Sequence, residues 1–286
     1  MTKLAIIGYP IGHSMSPTLY GAAFPVLGVD ATYEAWAIEP EKVAEAIERY
    51  RADDVLGGNV TVPHKQSVMP LLDEVDEIAR KIGAVNCISK DESGRLIGHN
   101  TDMYGYVRSL REAGCNPAGM KVLILGAGGA ARSVGFGLAE AGAAMIGVSA
   151  RNQERAESFA ADLRLGASIR TWVGTMGWQD ESFVEACQAA DLIVNTTPVG
   201  MKGTPSEGES PLAAELIREG VWLSDLVYNP LETELLKLAA KVGARPIGGL
   251  DMLVYQAAES LRFWMGLDAP VEIMKAAALE RLRQQG

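Results

Sequence analysis

Cysteine is scarce in this chain, and what there is lies scattered. Cys87, Cys115 and Cys187 are odd in number and share no spacing. That excludes a disulfide framework or a thiolate zinc site and fits single thiols in a reducing compartment. Histidine is equally rare: His13, His64 and His99 show no ligand spacing, so no metal is expected. Long apolar runs are missing too, none reaching the ~20 residues of a membrane helix. The opening MTKLAIIGYPIGHS breaks at Gly8 and Pro10, too early for a signal peptide. The expectation is a cytoplasmic protein with no membrane partner. Positive charge is in deficit: 26 Lys and Arg against 36 Asp and Glu leave a formal net charge of −10, which argues against nucleic acid. A local basic site for a small anion stays compatible with that balance.

What is present suits a soluble globular protein. The 286 residues are 48% hydrophobic and 22% charged, enough for two ordinary domains or one large one. In the first third, LAIIG (4–8) is a buried-strand run. PEKVAEAIERY (40–50) is amphipathic, with Val43, Ala46, Ile47 and Tyr50 on one face. NVTV (59–62) reads as a strand and 66–83 as a helix interrupted near Pro70. AVNCIS (84–89) and RLIGHN (95–100), joined by DESG, read as a hairpin. GCNPAG (114–119) is the best linker candidate.

From Met120 the texture changes. KVLILG (121–126) is a continuous apolar run, as expected of a parallel strand covered on both faces. Helical and strand patterns then alternate: AARSVGFGLAEAG, AMIGVSA, NQERAESFAADL, SIRTWV (168–173), ESFVEACQAA, DLIVNTT, VWLSDLV (221–227) and TELLKLAAKVG (233–243). This is the rhythm of a doubly wound α/β sheet. Leu235, Leu238, Ala239 and Val242 form the expected buried stripe of the last helix. Two further helices, 252–266 and 270–285, close the chain.

The turn GAGGAA (126–131) is a G-x-G-x-x-A form of the dinucleotide fingerprint, placed after a strand and before a helix as that chemistry requires. Gly126 allows the tight turn, Gly128 lets backbone amides approach a pyrophosphate, and Ala131 allows close helix–strand packing. The next strand ends Val148-Ser149-Ala150-Arg151-Asn152, with no acid to hold a ribose diol. Arg151 stands there, with Arg155 one helical turn on. A guanidinium binds a 2′-phosphate where a carboxylate would repel it, so NADP is favoured as cofactor.

Polar residues of the first third have bland readings as well. Ser16 before Pro17 reads as a helix N-cap with proline at the first position, which leaves Ser14 unexplained. Asp102 precedes a helical run and has an N-cap reading of its own. Asn86 falls in a strand, where asparagine is disfavoured, and an inward amide there needs a partner. Gln256 shares a helix side with Glu259 and Ser260, and its pattern leaves it open between solvent and interior.

In register along nearly the whole chain stand GYPIGHSMSP (8–17), GGNVTVPHK (57–65), GAVN (83–86), GHNTDMYG (98–105), GAGGAAR (126–132), NTTPVGM (195–201), DLVYNPLET (225–233) and GGLDMLVYQAA (248–258). With these the chain resembles the shikimate dehydrogenase family, including its quinate-specific relatives. The resemblance implies a two-domain α/β fold. Residues 1–104 and 248–286 would form a substrate domain completed by C-terminal helices. Residues 105–247 would form a Rossmann-type NADP-binding domain, with the active site in the cleft between the two. It implies Lys65 and Asp102 as the catalytic pair. Ser14 and Ser16 would bind the substrate carboxylate; Thr61, Asn86, Tyr228 and Gln256 would contact the substrate too. Gly126, Ala127, Gly128, Gly129, Ala130, Arg151, Thr196 and Gly249 would hold NADP.

The implied reaction is the reversible, NADP-dependent reduction of 3-dehydroshikimate to shikimate in aromatic amino-acid biosynthesis, by a monomer or homodimer. With Asp102 beside it, Lys65 is expected to act charged, stabilising the reacting oxygen. The sequence departs from the family pattern at Tyr20-Gly21, Cys87, His99 and Ala150-Arg151-Asn152. These departures leave open a relative acting on quinate or another cyclic polyol. A non-catalytic NADP-binding sensor is the remaining alternative, disfavoured by the retained Lys65 and Asp102.

Overall fold

The structure, a computed structural model, describes residues 2–166, 171–178 and 180–285. The first part of the chain runs β1 (Thr2–Gly8), α1 (Ser16–Leu27), β2 (Ala31–Ala37), α2 (Val43–Tyr50), β3 (Val55–Val60) and β4 (Glu74–Val75). It continues through α3 (Glu77–Ile82), β5 (Cys87–Lys90), β6 (Leu96–His99) and α4 (Asp102–Glu112). The alternating part follows: β7 (Lys121–Leu125), α5 (Gly129–Glu140), β8 (Met145–Ser149), α6 (Gln153–Gly166), β9 (Trp172–Met176), α7 (Glu181–Ala189) and β10 (Leu192–Asn195). Then come β11 (Trp222–Asp225), α8 (Glu234–Lys241), β12 (Arg245–Ile247), α9 (Leu250–Met265) and α10 (Val271–Gln285).

The chain divides into two compact units, Met1–Gly105 with Leu253–Gln285, and Tyr106–Met252. It passes between them within α4 and α9. Residues 114–119, expected as a linker, instead form turns inside the second unit, where Gly114 N donates to Arg111 O and Met120 N to Pro117 O.

The first unit holds a six-stranded mixed sheet in the order β2-β1-β3-β5-β6-β4. β1 pairs parallel with both β2 and β3, and β5 runs antiparallel between β3 and β6. Two glycines make the centre of this sheet possible. A Cβ on Gly58 would lie 1.8 Å from Ala5 O, and one on Gly57 2.3 Å from Ile88 O. The strand therefore starts earlier than NVTV suggests and stops at Val60, with Thr61 N and Val62 O still bonded to Ile7 O and Tyr9 N. The expected face of α2 is buried as read, packed with Ala5, Ile7 and Trp36 in one core.

The stretch 66–83 is not an interrupted helix. It holds a single 3₁₀ turn at Met69–Leu71, the two-residue β4, and only then α3. Asp76 explains the late start: its carboxylate accepts from Ala79 N at 2.6 Å, a helix N-cap. Gly83, at φ 71°, ends that helix in the left-handed region.

The second unit is a six-stranded, wholly parallel sheet in the order β12-β11-β10-β7-β8-β9. Read from β9, this is the 3-2-1-4-5-6 order of a doubly wound dinucleotide fold. β7 is buried from its second residue on, as the apolar run requires. The stripe of α8 differs in part: Leu235, Leu236 and Ala239 are buried, while Leu238 and Val242 are only partly so. The strand expected at 168–173 is found at Trp172–Met176; residues 167–170 lie outside the described residues.

Candidate active site

Topology decides where a ligand of the first unit can sit. β2 and β3 flank β1 on opposite sides, so loops leaving the carboxyl ends of β1 and β3 diverge at a switch point. The loop after β1 carries Ser14 and leads into Ser16. The segment after β3 carries Thr61 and Lys65. Register places Asn59 opposite Cys87 and Cys87 opposite His99, which brings the start of β5 and the end of β6 to the same edge. Asn86 and Asn100 to Asp102 therefore converge there.

Two of the bland helix-start readings fail for a local reason. Ser16 is the first residue of α1, not its N-cap; Met15 holds that position without a side-chain bond. The amide of Ser16 donates instead to Ser14 Oγ at 3.3 Å. At α4 the capping acceptor is Asn100, whose Oδ1 takes a bond from Met103 N at 3.2 Å. That leaves the Asp102 carboxylate free for other partners.

The turn that presents Lys65 is fixed from below. His64 is 1% exposed and its Nε2 donates to Ile38 O at 2.7 Å, so it is a core histidine. His64 N donates to Thr61 O, and Val85 N to Lys65 O, tying the turn to the segment that carries Asn86. Asn86 itself stands just before β5 and not within it. Its backbone still bridges the sheet, since Val60 N donates to its carbonyl and its own N–H to His99 O.

At this edge Lys65 Nζ lies 2.6 Å from Asp102 Oδ2, with the two side chains 14% and 9% exposed. The other carboxylate oxygen accepts from Asn86 Nδ2 at 2.8 Å. Asn86 Nδ2 also reaches Thr101 Oγ1 at 2.9 Å, and its Oδ1 accepts from Thr101 N at 2.7 Å. Gln256 is 8% exposed, which settles it as inward. Its Nε2 donates to Leu253 O at 2.8 Å, while its Oε1 meets Asn86 and Thr101 only at 3.5 Å. The amide oxygen of Gln256 thus keeps capacity for a ligand hydroxyl. The arrangement offers one ammonium, one carboxylate and two amides, all preoriented, beside serine and threonine hydroxyls. It suits a polyhydroxylated ligand with one reacting oxygen.

Behind this cluster lies a layer that no sequence pattern singled out. Asn59 Oδ1 accepts from Tyr33 OH at 2.6 Å and Tyr20 OH at 3.2 Å, and its Nδ2 donates to Asn86 O and Ser260 Oγ at 3.1 Å each. Every hydrogen-bonding position of that amide is filled. Burial raises both phenols well above their ordinary range, so each keeps the proton it donates. Ser260 Oγ also lies 3.2 Å from Thr101 Oγ1. The one available signal for Asn59 was an amide inside an apolar strand; Ser260 had only its place one turn after Gln256.

In the second unit the switch point falls between β7 and β10. The turn Gly126 to Ala130 leaves β7 there, and Thr196 follows β10. Gly126, at φ 114°, has no room for a Cβ, which would lie 2.5 Å from Thr196 Oγ1. A Cβ on Gly128 would meet nothing within 4 Å, so the backbone before α5 is open to an approaching anion. At the tip of β8 the buried Ser149 Oγ has no partner among the described residues, while Ser149 O accepts from Gly126 N. Arg151 and Arg155 are exposed just beyond, and Asn152 Oδ1 accepts from Arg155 N at 2.9 Å to cap α6. An open amide nest, an unused hydroxyl and two arginines fit a dinucleotide bearing an extra phosphate.

The loops after β10 and β11 hang on one buried carboxylate. Asp225 accepts from Asn195 Nδ2, Val227 N and Thr233 Oγ1 at 2.9, 3.0 and 2.6 Å, and burial pushes its carboxyl up. Tyr228 follows on this segment, half-buried. Gly249 is glycine for packing reasons, since a Cβ there would lie 2.2 Å from Leu226 O. All three cysteines are buried and free, with burial pushing Cys115 and Cys187 up to about 11, so none is poised as a nucleophile. Lys65, Asp102 and Asn86 form one bonded cluster, with Gln256 Oε1 standing 3.5 Å from Asn86 Nδ2. Ser14 and Thr61 stand on the segments after β1 and β3 and Ser16 opens α1, while Thr196, Gly249 and Tyr228 belong to the second unit.

Residues 6–88 match the family described as shikimate dehydrogenase substrate binding domain, and residues 249–279 the shikimate 5'-dehydrogenase C-terminal domain. Residues 121–218 match a family described as NADP oxidoreductase coenzyme F420-dependent. A shikimate dehydrogenase (NADP(+)) of Moorella thermoacetica is 44% identical over 98% of this chain and 93% of its own length. Among solved structures, a shikimate dehydrogenase in complex with NADP+ is 37% identical with a TM-score of 0.90, covering 99% of this chain and 96% of the other. Shikimate 5-dehydrogenase of Thermus thermophilus, in complex with NADP(H) and shikimate, is 35% identical with a TM-score of 0.87, covering 99% and 100%. A quinate dehydrogenase from Corynebacterium glutamicum in complex with NAD is 30% identical with a TM-score of 0.89, covering 98% and 99%.

Proposed function

The chain belongs to the shikimate dehydrogenase family, and from that premise we propose that it reversibly reduces 3-dehydroshikimate to shikimate with NADPH, using Lys65 and Asp102 as its catalytic pair. The observation that carries the assignment is the ion pair itself: Lys65 Nζ stands 2.6 Å from Asp102 Oδ2 at the switch point of the first sheet, nearly buried and held by Asn86.

NADPH, when bound, supplies the hydride for the ring carbon. The chain handles charge and one proton. As the ketone is reduced, negative charge develops on its oxygen; the Lys65 ammonium stabilises that charge and donates the proton. Asp102 fixes the ammonium through one oxygen and accepts a hydrogen bond from a substrate hydroxyl. Asn86, Thr61 and the unused oxygen of Gln256 orient the remaining hydroxyls, and the hydroxyls of Ser14 and Ser16 receive the substrate carboxylate. Gly126 to Ala130 hold the pyrophosphate on backbone amides, Arg151 takes the 2′-phosphate, and Thr196 and Gly249 shape the surrounding loops. Tyr228 adds a phenol for the substrate.

Following nicotinamide absorbance with shikimate and quinate, each against NADP and NAD, tests this reading. Turnover is expected to be greatest for shikimate with NADP. Turnover confined to quinate, or none with any pair, would overturn it.

A further inference from the structure

Ser89, His99 and Asp76 form a hydrogen-bonded chain that the proposed reaction does not use. His99 Nδ1 lies 2.7 Å from Asp76 Oδ2 and Nε2 2.8 Å from Ser89 Oγ. The ring stacks on Phe263, with centroids 3.9 Å apart and planes 22° apart. The order of groups is that of a hydrolytic triad, yet the surroundings are wrong for one. Ser89 sits mid-sheet, paired with Gly57 on one side and Ile97 on the other, so free amides do not converge beside its hydroxyl to take an oxyanion. Ser89 and His99 are each 7% exposed.

What the imidazole does touch are the segments that build the substrate site. Asp76 opens α3, which leads into Asn86 from one side. Ser89 belongs to β5, which leaves Asn86 on the other. Phe263 is on α9, the helix that carries Gln256 and Ser260. His99 itself ends β6 three residues before Asp102, and its carbonyl accepts from Asn86 N at 3.0 Å. Both ring nitrogens are committed, Nδ1 to the Asp76 carboxylate and Nε2 to the Ser89 hydroxyl. The other oxygen of Asp76 caps α3. A one-ring tie therefore joins four stretches of chain at the base of the cluster.

We infer that His99 is a positioning residue, setting Asn86 and Asp102 against Gln256 so that substrate hydroxyls meet prearranged partners. The inference rests on the assignment of Lys65 and Asp102 made above. Misplacement of reacting groups by about 1 Å is costly, and no residue of this tie need touch the substrate to matter.

Kinetics on the full chain test it with two variants. His99→Phe keeps the stack on Phe263 but loses both hydrogen bonds; His99→Asn restores a donor near the Nδ1 position. His99→Phe is expected to lower kcat/KM for shikimate by roughly 10- to 100-fold, leaving the KM for NADP unchanged, and His99→Asn to recover much of that loss. Wild-type kcat and KM in His99→Phe, with only a lower Tm, would reduce His99 to a stability role and overturn the inference. If His99→Phe does not fold, Ser89→Ala and Phe263→Leu each remove one arm of the tie and are expected to cost kcat/KM severalfold; no loss in either would overturn it equally. The side-chain amide resonances of Asn86 and Gln256 give a readout that needs no substrate. They are expected to move in His99→Phe and return in His99→Asn. Unmoved resonances would refute the positioning, while a wild-type enzyme inactive on shikimate would refute the function reading instead.

Discussion

Asn86 shows how little freedom the site leaves its residues. Its amide bonds Asp102 and Thr101, its backbone bridges β3 and β6, and its carbonyl also accepts from Asn59. Arg151 is the opposite case, exposed beyond β8 with its guanidinium open to solvent. If it reads the 2′-phosphate through charge-assisted hydrogen bonds, Arg151→Ala loses roughly 1.5–3 kcal/mol with NADP and little with NAD. The expected kinetics are a KM for NADP raised about tenfold or more and an unchanged KM for NAD. Equal effects on both would show that Arg151 does not recognise the phosphate. At this scale the sequence was legible only in part. Arg151 and the glycine turn carry local signals, since each follows a strand end. Lys65 and Asp102 are 37 residues apart, and only family resemblance connects them. Thr101, Ser260 and Asn59 matter through partners brought together by folding, and no spacing announces them.

Among the elements, those with one strong physical cause were readable. The apolar run of β7 and the face of α2 follow from burial alone. Elements with competing causes were not. The β2 stretch ATYEAWA mixes polar and apolar residues because it lies at a sheet edge, and β12 is short, edge-placed and contains Pro246. In 66–83 the helical periodicity was overridden by Pro70 and by Asp76 capping a later start. The sequence reads as a strand over NVTV alone, whereas β3 starts at Val55 and close approach to β1 and β5 puts Gly57 and Gly58 inside it. That reading has a direct consequence. Gly58→Ala places a Cβ 1.8 Å from a backbone oxygen, which only a shift of β1 or β3 can relieve. Overpacking of this kind typically costs about 1–3 kcal/mol. Urea unfolding of Gly58→Ala is expected to show a clearly lower midpoint. An unchanged midpoint would mean that the two strands are not in such close contact.

At the scale of the whole molecule, two α/β units carry two different tasks. The first gathers hydroxyls, amides and one ion pair at its switch point; the second offers an open amide nest and arginines at its own. This division was visible in the sequence as a change of texture near Met120, because a parallel sheet covered on both faces needs continuous apolar strands. The chain, however, crosses between the units inside α4 and α9, where helical periodicity runs on unbroken and gives no sign of a boundary. If the proton step belongs to the first unit and the cofactor to the second, the two properties must separate in one variant. Lys65→Met, assayed for shikimate turnover with NADP and for NADP affinity by titration, measures both. The account predicts turnover lowered by orders of magnitude with the NADP dissociation constant unchanged. Wild-type turnover, or a parallel loss of NADP binding, would contradict it.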